Sequence, residues 1–234
     1  MIKVNRKNEI GHADLGWLNT YHHFSFSSYF DPSRMGFGAL RVVNDDLIKA
    51  GTGFSEHGHQ DMEIITFVRE GAVTHQDSVG NTGRTIAGDI QVMSAGTGIR
   101  HSEHNLEDRD TLIFQIWIKP KETGISPRWD SATFADKYAD ASLPLLVSGR
   151  NEDANKNVPY IHQEAAIFGG KMHSGSRLVH PIKDQAYLVL SRGKIEVGEH
   201  TIHSGDGVEI TNANQVEILA TNDSELIIID VPSE

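Results

Sequence analysis

The sequence predicts an all-β protein: two antiparallel β-barrel or jelly-roll domains joined by a loop-rich connector. Three observations lead there. Short segments rich in β-branched and aromatic residues recur along the chain, with Gly, Asn and Asp between them. Glycine is abundant, at 22 of 234 residues. From Lys119 to about Val158 the pattern loosens around Pro120, Pro127, Pro144 and Pro159, which separates the segments into two groups. The expected layout is a first domain over residues 1–125, a connector over 126–158 and a second domain over 159–234.

Taken in order, Met62 to Val68 reads as a strand closed by a turn at Glu70-Gly71, and Ala72 to His75 as its return. Asn81-Thr82-Gly83 reads as a further turn, and Ile90 to Met93 as the next strand. Thr111 to Ile118 is the strongest strand of the half, stopped by Pro120. In the connector, Ser131 to Ala139 could form one short helix. The second half repeats the style with Gln185 to Leu190, a turn at Arg192-Gly193, then Lys194 to Val197, Gly207 to Ile210, Val216 to Leu219 and Glu225 to Val231. The halves share this build without shared letters.

Composition narrows the function. Hydrophobic residues make up 38% of the chain, enough to bury a sizeable core. There is no apolar run of membrane-spanning length and no signal-like N-terminus, so a cytoplasmic location is expected. With no cysteine, thiolate metal sites and cysteine nucleophiles are excluded, and any metal must take nitrogen and oxygen ligands. The 21 basic against 32 acidic residues give a net charge of −11, and no Lys/Arg run could track a phosphate backbone. Direct nucleic-acid binding is therefore not expected.

Chemistry concentrates in two short clusters, His57-Gly58-His59 with Glu63, and His101-Ser102-Glu103. Residues two apart on a strand share a face. Two such pairs on facing strands would set three imidazoles and a carboxylate around one point, a reasonable shell for a divalent transition metal. The triplet alone says little: roughly 0.7 H-x-H matches arise by chance with 13 histidines in 234 residues. Context adds weight. His57-x-His59 follows the glycine turn Gly51-Thr52-Gly53-Phe54, and His101 follows Gly96-Thr97-Gly98. Glu63 and Glu103 both have spacings that suit a ligand, and spacing does not choose between them. The second half holds no H-x-H and no matched H-x-E, so no equivalent metal site is expected there.

Gly51-x5-His57-x-His59-x3-Glu63-x7-Gly71 resembles the first metal motif of the cupin superfamily, and Gly88 through Asn105 resembles the second. Ser94 stands where that second motif usually has proline, and four residues rather than two precede its histidine. His22-His23-Phe24-Ser25-Phe26, Gly36 to Val42, Met62 to Thr66 and Ala95 to Glu103 are similar to the pirin family, a branch of the cupins. These matches span roughly residues 11–118.

The resemblance implies a bicupin with its metal in the first domain, held by His57, His59, His101 and Glu103. Glu63 is then left as a partner that orients a ligating histidine. The ion would be one divalent transition metal, Fe(II) first, with Ni, Mn, Cu or Zn as the others. Several pirin-like proteins are associated with quercetin 2,3-dioxygenase activity, which opens the flavonol ring and releases carbon monoxide. The implied function is a dioxygenase of flavonol-type substrates that consumes O2, with Glu103 as candidate catalytic base and Glu63 in reserve. Pirins are also described as regulators that bind a protein partner. The alternative is therefore a regulatory protein whose metal is structural or redox-sensing.

Overall fold

The computed structural model describes residues 1–134 and 142–233. Its first half contains β1 (Ile2–Asn5), β2 (Gly11–Asp14), β3 (Leu18–His22), β4 (Leu40–Ile48), β5 (Gly53–His59), β6 (Glu63–Glu70), β7 (Ala72–Asp77), β8 (Thr82–Ile86), β9 (Ile90–Ser94), β10 (Ile99–His104), β11 (Thr111–Ile118) and β12 (Arg128–Ala132). The second half contains β13 (Leu145–Ser148), β14 (Ala166–Met172), β15 (Arg177–Pro181), β16 (Gln185–Arg192), β17 (Lys194–Val197), β18 (His200–His203), β19 (Gly207–Ile210), β20 (Gln215–Ala220) and β21 (Ser224–Val231).

These strands form two jelly-roll-like sandwiches rather than closed barrels, because each sheet keeps two edges. The first sandwich pairs a seven-stranded sheet, β12-β9-β6-β11-β4-β3-β2, with a four-stranded one, β5-β10-β7-β8. The second pairs a six-stranded sheet, β1-β19-β16-β21-β14-β13, with β15-β20-β17-β18. No helix among the described residues is long and apolar enough to cross a membrane.

The period-two pattern of β11 explains the layering. Phe114, Ile116 and Ile118 join Ile65, Phe67, Ile90 and Val92 in a core that also takes Ile167, Tyr187, Val189, Ile227 and Ile229 from the six-stranded sheet. The two large sheets therefore bury their apolar faces against each other and lock the halves together. The opposite face of β11 carries Gln115 and Trp117 into the interior of the first sandwich. Among the described residues the interior of the second sandwich is mainly apolar, filled by Leu188, Leu190, Ile195, Val208, Ile218 and Ile228.

Three local expectations change. β1 does not lie with the first half: it pairs with β19, Ile2 opposite Ile210. There Ile2 and Val4 pack on the second core, while Lys3 reaches Glu209 at 3.2 Å on the other face. Thr82 and Gly83 are strand, not turn; the chain reverses at Ser78 to Gly80. Gly83 is there because a Cβ would lie 2.2 Å from the Trp129 ring, which covers it. Where a helix was expected from Ser131, the chain is the edge strand β12, Trp129 opposite Met93. Residues 135–139 of that expected helix lie outside the described residues.

Candidate metal centre

β5 and β10 run antiparallel in the four-stranded sheet, with His101 directly opposite His57 and Ile99 opposite His59. A β-bulge between His101 and Glu103 shifts the register so that Glu103 faces Phe54. The result is a triangle of imidazoles. Ring centroids lie 4.8 Å apart for His57–His59, 4.6 Å for His57–His101 and 5.0 Å for His59–His101. One nitrogen from each ring lies within 4.8 Å of the others, so these three can hold a metal ion.

The protonation of the rings suits that task. The Nδ1–H of His57 donates to the Ser55 carbonyl at 2.8 Å, which leaves Nε2 as the nitrogen available to a metal. His101 is 2% exposed, and its Nε2 has no hydrogen-bond partner among the described residues. Such an orphan in a buried position costs free energy unless something binds it. Burial, helped by the neighbouring imidazoles, lowers the pKa of His59 to about 4 and of His101 to about 3. Both rings are neutral at pH 7, the form that can bind a metal.

Glu103 sits beside this triangle, 1% exposed, and reaches across the sandwich to the seven-stranded sheet. Its Oε1 accepts from Thr66 Oγ1 at 2.8 Å and Gln91 Nε2 at 2.5 Å, and its Oε2 accepts from Gln115 Nε2 at 2.7 Å. A carboxylate offers about four lone-pair sites. Three are used, and one on Oε2 remains. The ligand atoms that converge within 4.8 Å among the described residues are those of His57, His59 and His101; the Glu103 carboxylate lies outside that group.

Glu63 lies elsewhere. Gln60 to Met62 separate β5 from β6, with Asp61 at a φ of +46°, so the face of His59 does not carry through to Glu63. The Glu63 side chain points to the large-sheet interface, where Ser94 Oγ donates to its Oε2 at 2.8 Å. Burial raises its pKa against that hydrogen bond. It therefore orients no ligating histidine.

The imidazole triangle opens into a cavity of about 830 Å³ between the two sheets of the first sandwich. Leu15, Trp17, Phe26, Phe54 and Trp117 supply apolar and aromatic wall. Trp117 meets His59 edge-on at 4.9 Å, and Phe26 meets Trp117 edge-on at 5.4 Å. The polar wall comes from His22, Asn44, Asp46 and Gln115. His22 Nδ1 lies 2.9 Å from Asn44 Oδ1. Asp46 is 2% exposed, its Oδ1 lacks a partner among the described residues, and burial raises its pKa to about 7. Asn44 and Asp46 carry no motif in the sequence; their two-residue spacing within Asn44-Asp45-Asp46 of β4 is the one sign that both face the same way.

Known proteins resemble this chain along its whole length. Family models match twice: Pirin over residues 3–118 and the quercetinase C-terminal cupin domain over residues 145–231. A pirin-like protein of Caulobacter vibrioides is 47% identical, covering 97% of this chain and 99% of its own. A quercetin 2,3-dioxygenase of Escherichia coli K12 is 41% identical, covering 99% of each. The bacterial pirin YhhW of Escherichia coli, solved in complex with nickel(II), superposes with a TM-score of 0.91 at 40% identity and full coverage of both chains.

Proposed function

The chain belongs to the pirin family, and from that premise we propose that it is a metal-dependent dioxygenase of flavonol-type substrates, its metal held by His57, His59, His101 and Glu103. The observation that carries this reading is the meeting of three imidazoles at a cavity with aromatic walls. Pockets of that volume and lining hold planar organic ligands. A relative of 41% identity named quercetin 2,3-dioxygenase supports the substrate class. The donor set suits Fe(II), the first candidate, as well as Ni(II), Mn(II), Cu(II) and Zn(II). Nickel has support from the complex of the Escherichia coli relative.

When bound, the metal supplies positive charge and open positions for an anionic substrate oxygen and for O2. The chain's own residues do the rest. Trp17, Phe26, Phe54 and Trp117 shed water and align a flat ring system. Glu103 is the candidate base for the substrate 3-hydroxyl, its carboxylate held in place by Thr66, Gln91 and Gln115; the Oε2 lone pair they leave serves either the metal or the proton, not both at once. Glu63 cannot stand in for it across the sheet. Asp46 and Glu56 are the other carboxyl residues that line this cavity with Glu103.

The experiment is direct. Purified protein is loaded with each metal in turn, and loss of flavonol absorbance is followed in air and without oxygen. We expect oxygen-dependent loss with at least one metal. No such loss with any metal would overturn the dioxygenase reading and favour a regulatory role with a protein partner. Glu103→Gln is expected to lower turnover by about 100-fold or more, the usual contribution of a positioned base. Wild-type turnover in a variant that keeps its metal would remove Glu103 from that role.

A further inference from the structure

Behind His101 lies a second pair of buried groups that the metal site does not use directly. β7 runs beside β10, with Glu103 opposite His75 and Asp77 opposite His101. His75 is fully buried, and its ring stacks on Trp129 at 5.1 Å with an interplanar angle of 13°. Its Nε2 lies 3.0 Å from Asp77 Oδ2, and its Nδ1 lies 3.4 Å from His101 Nδ1. Asp77, His75 and His101 thus form a chain that ends at the imidazole triangle.

The direction of the protons along this chain follows from its far end. Asp77 is surrounded by donors. Its Oδ2 accepts from Asn81 Nδ2 at 2.9 Å, and its Oδ1 accepts from the backbone N–H of Asn81 at 3.0 Å and of Val79 at 3.1 Å. A carboxylate so placed accepts only, so the nitrogen facing it, His75 Nε2, carries a proton. In a ring with one proton placed there, the other nitrogen, Nδ1, offers a lone pair. That lone pair faces His101 Nδ1, which must therefore carry the proton of its own ring. His101 Nε2 is left as a lone pair, and it is the atom found buried without a hydrogen-bond partner. The reverse arrangement would point a lone pair at the Asp77 carboxylate and an N–H at the metal position.

We propose that His75 and Asp77 are positioning residues for the metal centre: they fix the tautomer and ring orientation of His101 so that its Nε2 lone pair faces the ion. The inference rests on the metal reading above, but its first consequence does not need a metal. Trp129 completes the device by holding the His75 ring in one plane. The same edge strand covers Gly83, so β12 ties the outer wall of the first sandwich to its ligand set.

Two measurements test this. Long-range proton–nitrogen NMR on metal-free protein labelled in its histidine rings reads each tautomer. We expect His75 protonated at Nε2 and His101 protonated at Nδ1, with His101 Nε2 bare. A proton on His101 Nε2, or a doubly protonated His75 at pH 7, would overturn the proposal whether or not the protein binds metal. Competitive titration with nickel(II) then compares wild type with His75→Phe and His75→Gln. His75→Phe keeps a ring against Trp129 but loses the acceptor, and should weaken nickel binding by about 10–100-fold, the usual effect of losing a partner behind a ligating histidine. His75→Gln offers a carbonyl acceptor and should recover most of that loss. Wild-type nickel affinity in folded His75→Phe would overturn the proposal. Failure of the wild type itself to bind nickel or any other divalent ion would instead count against the metal reading, with the tautomer spectrum still deciding the proton arrangement.

Discussion

His101→Ala is expected to abolish tight metal binding while leaving the two sandwiches folded. His101 closes the triangle from the strand opposite, 4.6 Å from His57 and 5.0 Å from His59 by ring centroid. It is also the most buried of the three imidazoles. Its removal takes away a neutral nitrogen ligand and lets water into the position behind it. Losing an outer partner of a ligating histidine costs about 10–100-fold in affinity, and losing the ligand itself must exceed that. Nickel(II) affinity should therefore fall by more than about 100-fold, and flavonol turnover should fall with it. His200→Ala, an exposed histidine of the second sandwich, is the control and should change neither. A variant of His101 that binds nickel as the wild type does would remove the triangle from the account.

The second large effect is a loss of stability in mild acid. Burial lowers the pKa of His23 and His101 to about 3 and of His59 and His180 to about 4. Each of these rings gains its proton near pH 6.5 when the chain unfolds, but only near pH 3 to 4 while it stays folded. Between those values the unfolded state binds more protons, so stability falls as pH falls. Half-buried His59 is better screened by solvent and contributes less. Burial raises the pKa of Asp46 to about 7, and also raises those of Glu63 and Glu225, which works in the opposite sense. The folded state holds those protons when the unfolded state has lost them. A net difference of one to three protons remains, worth about 1.4 kcal/mol per proton for each pH unit. Urea melts of metal-free protein should show stability dropping steadily from pH 6.5 to pH 4.5. His180→Leu should flatten the slope by about one proton. His180 has no partner on either ring nitrogen among the described residues, so the substitution breaks no hydrogen bond. Stability that is flat or rises towards pH 4.5 would contradict this.

Much of the scaffold was legible because period-two patterning is local. Thr111 to Ile118 appears in the structure with the expected bounds, as do Lys194 to Val197 and Gly207 to Ile210. In Thr111 to Ile118 the alternating residues serve two layers at once, Phe114 and Ile116 the core between the large sheets and Gln115 and Trp117 the cavity. The imidazole triangle was legible for the same reason: His57 and His59 share a strand face, and His101 sits on the strand opposite. What failed was periodicity carried across a break. Counting from His59 to Glu63 assumed one strand, but the chain turns at Asp61 and starts a new one. The pairing of β1 with β19 joins segments about two hundred residues apart, and no local pattern reports it. The anchoring of Glu103 draws Thr66, Gln91 and Gln115 from three other strands. His75 and Asp77 had the same two-residue spacing as the ligand pairs, yet their role depends on β7 lying beside β10.

The metal centre proposed for the first sandwich has three imidazoles and a carboxylate. X-ray absorption on protein loaded with nickel(II) and freed of excess metal tests it most directly. The account predicts one nickel per chain, with scattering from three imidazole rings and a carboxylate oxygen, and loss of the imidazole signal in His57→Ala, His59→Ala and His101→Ala. Protein that retains no stoichiometric metal, or a spectrum with fewer than three imidazoles that those substitutions leave unchanged, would contradict it.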